Sequence, residues 1–304
     1  MKKYSGEIGL FAIAIIWGSG FIGTKLALDG GLSTIQTITL RFFIASIMLG
    51  IIFYKKIKEN ISKESLIAGA LLGIFSFVGF TTQTLGLVYT TVSKNAFITA
   101  VNVVIVPFIG FILYKRKLDK IGVMSSFMAL VGIAVLSLEP DFSINFGDFL
   151  TFLCAISFAF HIFLTGEFSK KYNSYVLTVT QFVVAFLLSL IMQIARGETN
   201  FNATPVGFMG ALYLGIFSTA IGFLLQTICQ SKVDQTRTAI ILSTEAVFGT
   251  IMSVIIFHEV LTARMVVGCI IIFVSIIVAE TKLSFLKKKC EEKSTKNMME
   301  SQIE

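Results

Sequence analysis

The feature that most constrains this chain is an apolar run of about twenty residues that recurs ten times along it. The runs lie near 9–28, 33–54, 66–89, 93–114, 118–138, 149–168, 175–195, 206–229, 238–257 and 263–283. About 20 apolar helical residues cross the roughly 30 Å hydrocarbon core of a bilayer. A helix also satisfies its own backbone polar groups where no water can. Connections are short and carry turn residues: Asp29-Gly30-Gly31, Glu139-Pro140-Asp141 and Asn202-Ala203-Thr204-Pro205. The expected fold is an all-α integral membrane protein of ten transmembrane helices, with no soluble domain. Only 14% of residues are charged, against roughly 25% in a soluble domain, which excludes a water-soluble enzyme. The first run follows Lys2-Lys3 as a signal peptide would, but it is too long and lacks a small-residue cleavage site.

Net charge is +7, and membrane orientation rather than nucleic acid explains it. With a cytoplasmic N-terminus, twenty Lys and Arg fall in inside segments, four fall in outside segments or their helix ends, and Arg41 is left within a span. By the positive-inside rule both termini are expected in the cytoplasm. The expected location is a bacterial cytoplasmic membrane, with the lipid bilayer as the main partner and a homodimer as a candidate assembly.

The chain repeats itself. Gly79-Phe80-Thr81-Thr82-Gln83-Thr84 reads against Gly222-Phe223-Leu224-Leu225-Gln226-Thr227, an offset of 143 that also pairs Lys94 with Arg237 and Asn102 with Glu245. Gly73-Ile74-Phe75-Ser76 repeats as Gly215-Ile216-Phe217-Ser218, Gly6-Glu7 as Gly147-Asp148, and Arg41-Phe42-x-x-Ala45 as Gln181-Phe182-x-x-Ala185. Polar residues agreeing in register across four pairs of spans argue against chance. The expected units are residues 1–140, residues 141–283 and a charged, disordered tail, 284–304. Each repeat holds five spans, an odd number, so the second enters the membrane from the opposite side. Inverted repeats of this kind underlie alternating-access transport.

At these residues the sequence resembles the drug/metabolite transporter superfamily, specifically its ten-helix EamA-type family. The matching pieces are Trp17-Gly18-Ser19-x-Phe21, Leu40-Arg41-Phe42-x-x-Ala45, Gly147-Asp148-Phe149-Leu150, Glu245, Glu259-x-Leu261 and Gly268. Two departures stand out: Ala246 replaces a proline common in the family, and Arg116 stands where the second repeat has Glu259. The resemblance implies secondary transport of small metabolites, often amino acids or their derivatives, commonly outward.

Ionisable groups inside a bilayer are expensive, so each is a candidate for the transport site. Arg41 can clamp a carboxylate bidentately, or bond helix-end carbonyls. Glu245 can hold a substrate amine; desolvation disfavours its charge, which opens it to protonation in a coupling step. Its repeat partner is Asn102. Arg41, Gln83, Lys94 and Asn102 are expected toward the outer side, and Gln181, Gln226, Arg237 and Glu245 toward the inner, as two clusters at opposite ends of one pathway. Lys94 and Arg237 also fit interfacial anchors. His161 is a candidate relay or a neutral hydrogen-bonded residue, and Trp17 a stacking surface or a packing residue. Pro107 is expected to kink the fourth span.

Other classes fit less well. Cys154, Cys229, Cys269 and Cys290 form no CxxC pair, so no metal or disulfide framework is expected. His258-Glu259 lacks the second His of HExxH, no GxSxG is present, and no phosphate-binding Gly-rich loop supports ATP-driven pumping. No cofactor is expected beyond possible coupling to protons. Export of cationic or aromatic drugs is the competing transport reading; an intramembrane enzyme or a non-transporting scaffold leaves the repeat unexplained.

Overall fold

The computed structural model describes residues 4–90, 92–137, 145–257 and 262–281. Regular structure among them is entirely helical: α1 (Ser5–Asp29), α2 (Thr34–Ile52), α3 (Tyr54–Asn60), α4 (Lys63–Tyr89), α5 (Val92–Ala100), α6 (Asn102–Tyr114), α7 (Lys120–Ser137), α8 (Phe146–Phe168), α9 (Ser174–Ala195), α10 (Pro205–Tyr213), a π-helical stretch (Leu214–Ile221), α11 (Gly222–Gln230), α12 (Gln235–Leu242), α13 (Glu245–Phe257) and α14 (Ala263–Thr281). Eight of the ten apolar runs are helices long and apolar enough to cross a membrane; the fifth and tenth correspond to shorter apolar helices, Lys120–Val135 and Val266–Ala279. The turn at Glu139-Pro140-Asp141, His258, Glu259, Leu261, Cys290 and the tail lie outside the described residues, as does the side chain of Lys94.

Local chemistry sets the helix starts. Ser33 with Gln36, and Asn145 with Asp148, form reciprocal capping boxes. Thr204 caps α10, and Pro205 occupies a first-turn position where its missing N–H costs nothing. At the α1–α2 turn Gly31 has φ +94°, and a Cβ on Gly30 would lie 2.3 Å from Gly207 Cα. Only glycines allow these two turns to touch, and there Thr204 N–H donates to Gly30 O at 2.8 Å.

Packing follows the repeat. Helix α4 lies against α8 and α9, and its equivalent, the run from α10 to α11, lies against α1 and α2. Helix α2 packs on its own equivalent α9, and α7 on α14. Glycines show the correspondence at atomic scale: a Cβ on Gly79 would strike the Phe158 ring at 2.6 Å, and one on Gly222 would strike Trp17 Nε1 at 2.6 Å. Phe158 and Trp17 are themselves repeat equivalents.

The fourth and ninth runs are broken rather than continuous. Val101 N–H donates to Ile98 O at 3.2 Å and Val104 N–H to Val101 O at 3.0 Å; 143 residues on, Thr244 N–H donates to Ile241 O at 3.1 Å and Val247 N–H to Thr244 O at 3.0 Å. These i to i−3 bonds tighten the chain into a 3₁₀-like turn at the same place in each repeat. Pro107 sits inside α6, but the ninth run breaks equally before α13, which has Thr250 in its place. The proline is therefore not what makes the interruption.

The π-helical stretch has no counterpart in α4, and the repeat explains it. Gly73-Ile74-Phe75-Ser76 matches at an offset of 142, and Gly79 onward at 143. The second repeat thus carries one residue more between Ser218 and Gly222. A π-bulge takes up such an insertion locally. Flanking contacts keep their register: Gly73 meets Val184 Cβ at 2.9 Å and Gly215 meets Ile44 Cβ at 2.7 Å, both measured from a built Cβ, and Ile44 and Val184 are repeat equivalents.

Candidate functional site

The interruptions bring polar residues to mid-span. Asn102 opens α6 and Glu245 opens α13. Each lies ten residues past the start of α5 or α12, about 15 Å along a helix axis and so near the centre of a ~30 Å core. Both line one cavity together with Trp17, Arg41, Gln83, His161 and Gln226. Phe21, Phe80, Phe158 and Phe223 supply apolar wall, and the unfilled space, including its mouth, is about 650 Å³. Small-molecule sites commonly occupy roughly 300–1,000 Å³.

Arg41 is buried, with 2% of its surface exposed. Its Nε donates to Thr219 Oγ1 at 2.9 Å and its Nη2 to Ser218 Oγ at 3.4 Å. The guanidinium carbon stands 3.8 Å from the centroid of Phe80. Both hydroxyls are neutral and both come from the π-helical stretch. Among the described residues, three of the five guanidinium donors have no partner.

Glu245 is 9% exposed. Among the described residues no hydrogen bond or ion pair reaches its carboxylate, and none joins it to Arg41. Its nearest structural constraint is backbone: a Cβ on Gly18 would lie 2.8 Å from Glu245 O and 2.7 Å from Gly249 N. The Trp17-Gly18-Ser19 segment thus brings α1 against α13 main chain to main chain. Glu245 sits in the first turn of α13, whose partly positive N-terminal end moderates the cost of a carboxylate.

The remaining candidates differ in satisfaction. Trp17 Nε1 donates to Ser218 O at 2.9 Å, and its ring is tilted on Phe223 with centroids 4.9 Å apart. Trp17 is thereby both anchored and part of the cavity wall. Gln83 Nε2 donates to Thr99 Oγ1 at 3.2 Å. Gln226 is fully buried, and among the described residues neither its Oε1 nor its Nε2 has a partner. His161 Nε2 donates to Gln181 Oε1 at 2.9 Å, and Gln181 Nε2 is left unpaired. Gln181 stands behind His161 and is not among the lining residues.

This arrangement corrects one expectation. The two polar clusters are not at opposite ends of a pathway: Arg41, Gln83, Asn102, Gln226 and Glu245 share one central cavity. The reason is that α2 packs on its equivalent α9, and α4 packs on α8 as the α10–α11 run packs on α1, which folds the two repeats about a common centre. Arg237 lies elsewhere, on a second cavity with Arg116, Lys117, Asp119 and Asp234. At that end Arg116 donates to both Glu167 oxygens, at 2.8 and 2.7 Å, and Gln235 Nε2 donates to Glu167 Oε1 at 2.5 Å. The hydrogen bonds to Glu167 hold the Arg116 guanidinium above its usual pKa. Ser218 and Thr219 escaped the sequence reading, although the change of offset between Ser218 and Gly222 marked them.

A bundle of membrane-crossing helices built from two equivalent halves, enclosing a buried cavity with one free cation edge and one free carboxylate, defines a multi-pass membrane protein of transporter type. Known proteins agree. The EamA-like transporter family matches over residues 4–138 and again over 145–281. The chain therefore belongs to the EamA-like transporter family. An uncharacterized transporter of Archaeoglobus fulgidus is 33% identical over 283 residues, 93% of this chain and 88% of that one. The uncharacterized transporter YyaM of Bacillus subtilis is 22% identical across 97% of this chain and 99% of its own. One protein crystal structure shares the fold, with a TM-score of 0.76 at 16% identity, covering 91% of this chain and 99% of that one.

Proposed function

We propose that this protein is a secondary active transporter that carries amino acids or their derivatives outward across the cell membrane by alternating access. The observation that carries the reading is the pair of buried, mutually unpaired charges on one cavity. A free zwitterion complements both: its carboxylate meets the Nη edge of Arg41, and its ammonium meets Glu245. A charged group in a low-dielectric site is costly alone and tolerable when paired. Empty, Glu245 takes a proton instead, which couples substrate movement to proton movement in the opposite sense. Ten spans in two inverted repeats, with both termini in the cytoplasm, then give two equivalent arrangements of the cavity, one open to each side. The duplicated contacts and the doubled helix interruption support that symmetry.

The aromatic wall and the free carboxylate also favour a second reading, export of aromatic cations. It leaves Arg41 without a partner, and for that reason ranks below the first.

The test compares metabolites in cells and medium during overexpression of wild type and of the Arg41→Ala, Glu245→Gln double variant. The expected result is a zwitterionic compound enriched in the medium with wild type alone. Depletion from the medium would reverse the direction. Equal profiles at matched membrane levels would overturn the reading.

A further inference from the structure

The repeats are equivalent along most of their length, yet at one point the second has a residue the first lacks, and there the helix is π-helical. We infer that this single-residue insertion is a positioning device that orients Arg41 and so fixes which end of the cavity accepts a carboxylate. The inference rests on the reading of Arg41 as the carboxylate site.

Consider what each repeat does at the equivalent place. In the first, Ser76 is fully buried and its hydroxyl has no partner among the described residues. In the second, the matching Ser218 accepts from Arg41, its carbonyl accepts from Trp17, and the next residue, Thr219, accepts from Arg41 Nε. Thr219 lies within the three residues that separate Ser218 from Gly222, where the first repeat has only two, Phe77 and Val78. A continuous α-helix has no slot for this added residue unless everything beyond it rotates by about 100°. The register of Gly215 on Ile44 and of Gly222 on Trp17 shows that nothing beyond it has rotated. The bulge absorbs the extra residue and presents two successive hydroxyls to α2.

The consequence is geometric. Two neutral acceptors on the Nε side and a ring face under the guanidinium hold Arg41 in one plane. That leaves the Nη1–Nη2 edge as the fork that matches a carboxylate. Gln181, the equivalent of Arg41, has no such cradle and turns to His161. The insertion thus fixes the cation edge of a cavity whose two halves already differ at Arg41 and Gln181 and at Asn102 and Glu245.

Trp17 is the only tryptophan in the chain, and it lies on the cavity with its N–H bonded to the bulge. Its fluorescence therefore reports both occupancy and the bulge itself. The experiment titrates purified full-length protein with the twenty L-amino acids and, for each binder, with the primary amine lacking its carboxyl group. Wild type, Thr219→Val, Thr219→Ser, Ser76→Ala and Arg41→Gln are compared. Thr219→Val is expected to weaken amino-acid binding about tenfold or more, the scale of a hydrogen bond to a charged group. Binding of the amine should not change. Thr219→Ser should restore affinity, and Ser76→Ala should have no effect.

Equal affinity of wild type and Thr219→Val for amino acids, or an equal loss for acid and amine, overturns the positioning role. If Thr219→Val has no effect while Arg41→Gln still abolishes acid preference, the inference fails and the carboxylate site stands. If Arg41→Gln leaves acid preference intact, or wild type binds no amino acid, the carboxylate site fails and takes the inference with it.

Discussion

Arg41 and Gln181 occupy the same position in the two repeats, on helices that pack against each other. One is cradled by Ser218, Thr219 and Phe80; the other is bound to His161 and has an amide left over. Asn102 and Glu245 form a similar pair, each opening a half-helix at the same depth. The scaffold is therefore shared while the chemistry is divided, with the cation placed by the first repeat and the anion by the second. A symmetric cavity would bind a substrate equally well either way round. This one sets a cation and an anion at different positions on its wall.

The sharpest way to break the comparison is topological and all-or-none. Asn60, at the end of α3, and Asn200 are exposed and sit in equivalent connections of the two repeats. In a background of Cys290→Ser, a maleimide that cannot cross membranes should label Asn200→Cys in intact cells and Asn60→Cys only after lysis. Labelling of both from one side would abolish the inversion and with it the alternating-access reading.

The next effect is on transport. Arg41→Ala and Glu245→Gln should each reduce flux on the order of 100-fold, since each removes a charge partner from a buried site. Gln181→Ala and Asn102→Ala should cost less than about tenfold, the range of a neutral hydrogen bond. Equal losses in all four would mean that the charges are structural in both repeats.

A smaller effect concerns stability. Gly18 meets Gly249 main chain to main chain, whereas its equivalent in α8 is Ala159. Gly18→Ala should destabilise the fold by about 1–3 kcal/mol through overpacking, read as a lower melting temperature in detergent. Ala159→Gly should cost about 1 kcal/mol or less, a helix-propensity effect. The smallest change is expected at the far end. Arg116 is 47% exposed in its pair with Glu167, so Arg116→Ala should shift stability by about 1 kcal/mol or less at physiological salt. If it alters the rate of transport more than the stability, the ion pair latches that end of the bundle.

Much of this was legible from residues alone. Hydropathy alone marks the apolar spans, and the Gly-Phe-x-x-Gln-Thr duplication marks the repeat. Arg41, Gln83, Asn102, Gln226 and Glu245 stand out because a bilayer penalises them. What hydropathy does not carry is lateral arrangement. It places a residue by depth from one end of its own span, and so it separated residues that helix crossing brings together. The interruptions before Asn102 and Glu245 were invisible for another reason: Ile98, Val101, Ile241 and Thr244 are ordinary residues of apolar helices, and no glycine or proline stands at either break. Pro107 marked the fourth run, yet the break before Asn102 has its equivalent before Glu245, where no proline stands. The π-helical stretch was written in the sequence as a change of offset, which single-residue candidates do not reveal.

The doubled interruption also bears on how the chain is made. A charged residue at the centre of an inserting helix costs roughly 2.5–3.5 kcal/mol, and a broken helix exposes backbone groups that lipid cannot satisfy. The run that holds Glu245 carries both burdens, and its backbone packs against Gly18 of α1, far earlier in the sequence. That contact cannot form span by span: α1 must stay within reach until α13 has been made. A nascent chain cut short before Glu245 would hold an α1 whose glycine face is still waiting for its partner.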